Sequence, residues 1–426
     1  MSIGTDGASV NTGKTNGFVA LMRKDNMPWI IGMWCAAHKL ELAILDAVKA
    51  ENKLSEIKEL LQGLYKQIKY SAKAKRELVC IAEALEEKML MPNNILGCRW
   101  APHMYRALKI MLKHNFQIVY TYVDHVAEAN SSSVTMLGRC RKMRRQLQDY
   151  KLVLFMHHLL DILEAESFLS LKFQKNDSTL DSLCDALAVF TTEIEEMRQS
   201  NGKHVESFLQ QTSIPQAQGQ LQEDITVTFK GVEMVKKMTD AQEFGDLKIR
   251  VIDNTLRCID VRFREMEQSS VLKSAKVLNP RNWPERDDEE AAVSLADYGI
   301  EEINVLMDHF SVLLEGKDFD TEQAQRQWLE IKVVQSRRHL PRNYTTFWAI
   351  VCRDFPQDFK DIIILSKIVM CLPLNTACCE RSFSTMKRVK SDWRSSLSNE
   401  TLDMLLRAHI EGVAVQDFQP GQAIAH

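Results

Sequence analysis

Asp6 stands in Thr5-Asp6-Gly7 at the end of a predicted strand. There a carboxylate projects from the carboxyl edge of a sheet, where open α/β sheets hold ligands and metals. Alone, the residue reads more simply as an Asx turn before Gly7. Cys35-Ala-Ala-His38 has half the spacing of a zinc site, but a structural zinc needs four ligands and the sequence offers no second matching pair. The expectation is a buried cysteine and a hydrogen-bonded histidine at a strand-to-helix junction, with no metal. Cys378-Cys-Glu380-Arg-Ser-Phe-Ser384 lies on a helix predicted to begin near Thr376. Cys379, Phe383 and Met386 share one face, which predicts a buried stripe with Glu380 at its edge beside Ser384 and Lys387. Taken alone, Glu380 is expected to pair with Lys387 or Arg381.

Cations cluster twice. Arg139, Arg141, Lys142, Arg144 and Arg145 lie within seven residues, and helical spacing puts Arg141, Arg144 and Arg145 on one face. The simplest reading is a solvated face or a nuclear import signal. Lys387, Arg388, Lys390 and Arg394 follow Glu380, and helical spacing gathers Lys387, Lys390 and Arg394 into a patch suited to phosphate. Farther on, Ser398 is an N-cap candidate with Glu400 in the first turn. Leu402, Leu405, Leu406 and Ile410 then form an apolar stripe, expected to pack at least in part on a helix spanning Ile362–Leu372.

The elements that must position these groups begin as strand, helix, strand, helix. Ser2–Thr5 runs into the Asp6-Gly7 turn, Asn16–Lys24 is helical, Pro28–Cys35 is strand-like and Ala36–Lys49 is a helix. This is a βαβ crossover, a unit that normally belongs to a larger parallel sheet. No later segment reads as a third strand, so the expectation is that further strands lay upstream of Met1 in a longer ancestor. From Lys53 onward the periodicity is helical, with Leu159–Leu171, Leu180–Met197, Phe244–Met266 and Ile300–Leu314 as clear examples. Breaks fall at Pro92, Asn130, Gln199 and Asn279, and Gln210–Gln222 reads as a loop.

Composition agrees with helices. Gly and Pro number 16 and 10 in 426 residues, about half the usual share of roughly 12%. The net charge of −3 excludes a global basic field that would draw in nucleic acid or an anionic membrane. The ten cysteines are mostly solitary, which predicts a reducing compartment. No signal peptide or membrane span is legible, so the protein is expected in the nucleus or cytoplasm.

Taken in order, Thr-Asp-Gly-Ala-Ser, Cys-x-x-His-x-Leu-x-Leu and Leu-Pro-Leu-Asn-Thr-Ala-Cys-Cys-Glu-Arg-Ser-Phe-Ser resemble the hAT family of DNA transposases and the domesticated host proteins derived from them. Cys98-Arg-Trp100, Asn279-Pro-Arg-Asn-Trp283-Pro284, Tyr298-Gly299, and Trp348 ahead of Phe355-Pro356 extend the resemblance over nearly the whole chain. Cys35, His38, Trp100, Trp283, Arg381 and Phe383 carry its motifs. The implied fold is mainly α: a truncated ribonuclease H-like α/β core interrupted by a large all-helical insertion domain. Its implied parts are a partial ribonuclease H-like segment at 1–50, the insertion at 51–340, the last core helices with the C-terminal dimerisation region at 341–415, and a flexible tail at 416–426.

The resemblance assigns Asp6 as the second catalytic aspartate and Glu380 as the catalytic glutamate. The family's metal site uses three carboxylates to hold divalent cations, and the first aspartate belongs to a strand absent from this sequence. The upstream DNA-binding zinc finger is absent too. A catalytically inactive, nuclear, self-associating protein is therefore expected, with no cofactor, Mg²⁺ being relevant only to an intact site, and no membrane or small-molecule partner. DNA is a candidate partner through Arg141, Arg144, Arg145, Lys387, Lys390 and Arg394, and Leu402, Leu405, Leu406 and Ile410 would serve the dimer. The alternatives are a fragment of an active transposase completed by upstream sequence, and a helical interaction scaffold without DNA contact.

Overall fold

The computed structural model describes residues 2–25, 27–95, 99–129, 133–175, 178–213, 224–285, 293–413, 415–418 and 421. Strand β1 (Ser2–Thr5) pairs in parallel with β2 (Ile31–Trp34), Ser2 opposite Ile31 and Thr5 opposite Trp34. The short helices α1 (Ser9–Thr12) and α2 (Phe18–Lys24) make the crossover. The helix predicted from Asn16 starts at Phe18, and only the second half of Pro28–Cys35 is strand. Helix α3 (Ala36–Lys49) then buries Leu40, Ala43, Ile44, Ala47 and Val48 along one face.

The long middle stretch comprises α4 (Asn52–Tyr70), α5 (Ala72–Ala84), α6 (Trp100–Ile110), α7 (Phe116–Glu128), α8 (Val134–Gln148), α9 (Tyr150–Phe173), α10 (Leu180–Glu196) and α11 (Lys203–Gln211). Helix α9 is apolar on nearly every side, as a fully enclosed helix must be, and packs against α3, α4, α6, α8, α10, α11 and α12 (Asp240–Gln268). Its start lies nine residues ahead of Leu159, because Asp149 caps it by accepting from the Leu152 amide at 3.0 Å.

The expectation of an all-helical 51–340 region fails at one place. β3 (Ile225–Phe229) and β4 (Val232–Lys236) form an antiparallel hairpin whose turn residues, Lys230 and Gly231, have φ of 45° and 74°. Positive φ at both positions is the backbone of a tight hairpin turn matched to strand twist. Val227, Phe229, Val232 and Met234 alternate inward, a period of two that was legible in the sequence. Phe229 closes an aromatic cluster with Phe116, Phe208 and His157, at centroid distances of 5.0–5.4 Å. The 51–340 region is thus helical with an inserted hairpin, not all-helical.

After α13 (Ser270–Ala275) the chain makes two short 3₁₀ turns and continues as α14 (Ile300–His309) and α15 (Ser311–Glu315). The single helix predicted over Ile300–Leu314 breaks at Phe310, whose backbone leaves the helical region. Helices α16 (Thr321–Arg338), α17 (Tyr344–Asp354) and α18 (Lys360–Met370) enclose three tryptophans. Each indole N–H donates to a backbone carbonyl: Trp283 to Val277 at 2.8 Å, Trp328 to Tyr298 at 2.9 Å and Trp348 to Leu278 at 2.9 Å. These bonds let bulky indoles be buried without orphaned donors. Phe347, Trp348, Val351, Ile362, Ile363, Leu365 and Ile368 are all buried. The apolar side chains of this stretch are consumed inside the chain.

The last elements are α19 (Ala377–Val389) and α20 (Asn399–Ile410), packed chiefly on each other. No helix among the described residues is long and apolar enough to cross a membrane. Cys98, the break at Asn130, most of the Gln210–Gln222 loop and most of the 416–426 tail lie outside the described residues.

Phe229→Ala should lower unfolding stability by about 3–5 kcal/mol, the usual cost of removing a fully enclosed phenylalanine. Urea denaturation followed by circular dichroism checks it; a change below about 1 kcal/mol would mean that the hairpin does not seal this core.

Candidate functional site

The two ends of the chain meet where β2 becomes α3. The Cys35 amide donates to Thr5 O at 2.8 Å, the Ala36 amide to Leu374 O at 3.1 Å, and the Thr376 amide to Cys35 Sγ at 3.3 Å. The strand end carrying Asp6 and the helix start carrying Glu380 are therefore tied to one short segment. Gly7 completes the turn with φ of 82°, and a Cβ there would fall 2.1 Å from the Trp34 ring. Both facts require glycine.

Asp6 accepts from the Ala8 amide and from Asn11 Nδ2, each at 3.0 Å, and these donors hold its carboxyl below the usual range. It makes the Asx turn and still faces a cleft of about 600 Å³, whose lining includes His38, Arg99, Glu380, Phe383 and Lys387. Glu380 does not pair with Lys387 or Arg381 as expected. Arg99 takes it in an ion pair, and His38 Nδ1 stands 3.9 Å away. Arg99 also donates to Gln174 at 3.3 Å. Tertiary contact supplied a partner that local spacing could not.

Cys35 is 1% exposed. Burial acts to push its thiol up, but donors at His38 and Thr376 outweigh burial and bring it down to about 6. His38 is correspondingly raised, first by Cys35. Among the described residues no group of three or more His, Cys, Asp or Glu is placed to hold a metal.

Sequence reasoning missed a layer behind the cleft. A void of about 10 Å³, room for about one water, is bounded by Glu41, Glu166, His38, Arg99 and Glu380. Glu166 comes from the apolar helix α9 and is 1% exposed, and its Oε2 has no hydrogen-bond partner. Burial, with the charge of Glu41 adding to it, raises its carboxyl to about 8. A lone glutamate inside an apolar helical run was the signal available. Arg99 sat unremarked beside Trp100, which is half-buried with Lys58 over its ring at 5.2 Å.

The cationic groups are less coherent than their spacing implied. Arg141 and Arg145 are exposed on α8, but Arg144 turns to Asp124 at 2.9 Å and Glu128 at 3.9 Å, so the three do not share a free face. Lys387 and Lys390 are exposed, whereas Arg394 follows the end of α19 on a 3₁₀ turn, where helical spacing no longer applies. The stripe predicted to bury Phe383 is also overturned: Phe383 is 60% exposed and Cys379 is exposed, while Ala377 and Thr385 face inward. Arg381 is exposed on the same helix, and Trp283 belongs to the tryptophan core.

On α20, Leu402 is buried and Leu406 half-buried, while Leu405 and Ile410 are exposed. Trp393, on the 3₁₀ turn between α19 and α20, is 97% exposed, and Met404 and Val413 are exposed as well. Residues 325–409 match the hAT family C-terminal dimerisation region. The matched segment runs from within α16 almost to the end of α20.

The proton on Glu166 yields a prediction with a definite sign. The unfolded carboxyl titrates near 4.5 and the folded one near 8. Between those values the folded chain holds a proton that the unfolded chain has released, so this group's contribution to stability falls as pH rises and levels off above 8. Glu166→Gln should therefore stabilise the protein more at pH 8.5 than at pH 5, by roughly 4 kcal/mol at most. Melting curves at the two pH values check it, and an equal shift at both would refute the assignment.

Proposed function

We propose that this chain is a hAT transposase-derived nuclear protein that acts by self-association through α19 and α20, contacts DNA weakly through lysines beside the cleft, and has no strand-transfer activity of its own. The observation that carries the reading is the set of exposed apolar side chains, Phe383, Trp393, Met404 and Leu405, inside the segment that matches the dimerisation region, with Ile410 just past its end. Burying such a face against its own copy gives a twofold dimer, the commonest closed assembly. Lys387 and Lys390 are exposed for phosphate.

The absence of strand transfer is supported by the state of the cleft. Two-cation phosphoryl chemistry needs carboxylates free to hold hard metal ions. Among the described residues the cleft offers two: Glu380 is held by Arg99, and one oxygen of Asp6 already accepts from Ala8 and Asn11. That donor set does not fit a pair of cations. A second reading, favoured by Asp6 and Glu380 lining one cleft from opposite ends of the chain, has additional polypeptide supplying a third carboxylate.

Sedimentation velocity at micromolar concentration should show a dimer. Leu405→Asp combined with Ile410→Asp should raise its dissociation constant at least about tenfold, or about 1.4 kcal/mol, with the circular dichroism spectrum unchanged. A wild-type monomer would end the self-association proposal. In parallel, duplex DNA with Mg²⁺ or Mn²⁺ should remain uncut. Turnover abolished by Glu380→Gln would overturn the inactive reading, and no salt-dependent DNA retention would leave a scaffold without DNA contact.

A further inference from the structure

Two thiols stand side by side in the first turn of α19. Cys378 and Cys379 are both exposed, and their sulfurs are 3.9 Å apart. Cys379 lines the cleft directly beside Glu380. The reading above uses neither. Thiol oxidation depends on access and on a second thiol within reach, and this pair has both. We propose that Cys378 and Cys379 form a peroxide-sensitive dithiol whose closure to a vicinal disulfide remodels the first turn of α19 and loosens the Arg99–Glu380 ion pair.

The steps balance with hydrogen peroxide as oxidant. Both thiols are exposed, so either can react first, and the balance is the same with Cys378 as the attacking sulfur. Its thiolate attacks a peroxide oxygen, the O–O bond breaks, and a sulfenic acid forms as hydroxide leaves and takes up the thiol proton as water. Cys379 sulfur then attacks the Cys378 sulfur, the S–O bond breaks, and a second water departs with the Cys379 proton. Two thiols and one peroxide become one disulfide and two waters, with two electrons passing from sulfur to oxygen.

The structural consequence follows from chain geometry. Adjacent Cα atoms are about 3.8 Å apart across a trans peptide, whereas disulfides usually span about 4.4–6.8 Å. A ring closed through a single peptide bond therefore cannot keep two consecutive residues in helical torsions. The contacts at stake are the Glu380 amide to Thr376 O at 3.1 Å and Ser382 Oγ to Cys378 O at 2.9 Å. Glu380 is the next residue along, so its carboxylate moves with the distortion. Such strain also makes the bond easy to reduce.

The test treats the full chain with hydrogen peroxide, removes the excess with catalase, alkylates free thiols under denaturing conditions and maps the peptides. The expected product is one unalkylated peptide holding Cys378 and Cys379, lighter by two hydrogens and restored by dithiothreitol. Amide exchange over residues 377–386 should be at least about tenfold faster in the oxidised protein. Cys378→Ser and Cys379→Ser should each abolish the product while keeping the circular dichroism of the parent. Linkage to Cys371, Cys35 or another chain, or oxidation that stops at sulfinic acid, would overturn the dithiol. A vicinal disulfide formed with unchanged exchange would overturn its coupling to α19.

Discussion

Three hydrogen bonds at Cys35 and Ala36 organise this molecule. Through them the turn from β2 into α3 holds the end of β1 by Thr5 and the approach to α19 by Leu374 and Thr376. A two-stranded parallel sheet offers little cooperative support on its own, so its geometry depends on what is bonded to its ends. Asp6 and Glu380 share a cleft because both flank this knot. Cys35 takes part through its sulfur and its backbone, which explains a buried thiol whose pKa is drawn down against the effect of burial.

Behind the knot lies α9, and its polar residues show how a closed core tolerates charge. Asp161 is buried and held near a pKa of 6, raised by burial and opposed by the amides of His204 and Val205, at 2.8 and 3.1 Å. It thereby caps α11 from another helix, serving donors that Gly202 cannot reach with a side chain. A Cβ at Gly202 would strike the Asp161 carboxyl at 2.2 Å, so the glycine makes room for this cap. Glu166 has no such donors and keeps its proton instead.

The apolar surface is divided unevenly. Around Trp283, Trp328 and Trp348, indole donors and apolar rings are satisfied within the chain. On α19 and α20 Phe383, Leu405 and Ile410 remain in solvent. The difference lies in how many neighbours each helix has: α18 packs on both α16 and α17, and α16 also on α14, whereas α20 has chiefly α19. A helix with one neighbour can bury only a narrow stripe, and the rest of its apolar face stays available to another chain.

Local periodicity foretold much of this. The bounds of α3 came directly from its apolar spacing, the parallel β1–β2 crossover from its element order, and the strand-end position of Asp6 from the Asp-Gly turn. The hairpin at Ile225–Lys236 was equally local and was overlooked, since its inward alternation of Val227, Phe229, Val232 and Met234 sat among helical runs. Contacts between distant segments were not legible. Glu380 has Arg381 next to it and Lys387 two turns on along its own helix, yet Arg99 takes it, because spacing describes one helix and folding adds every other surface. The same reason separates Arg144 from Arg141 and turns Phe383 outward: a periodic pattern fixes which residues share a face, and only packing fixes what that face meets.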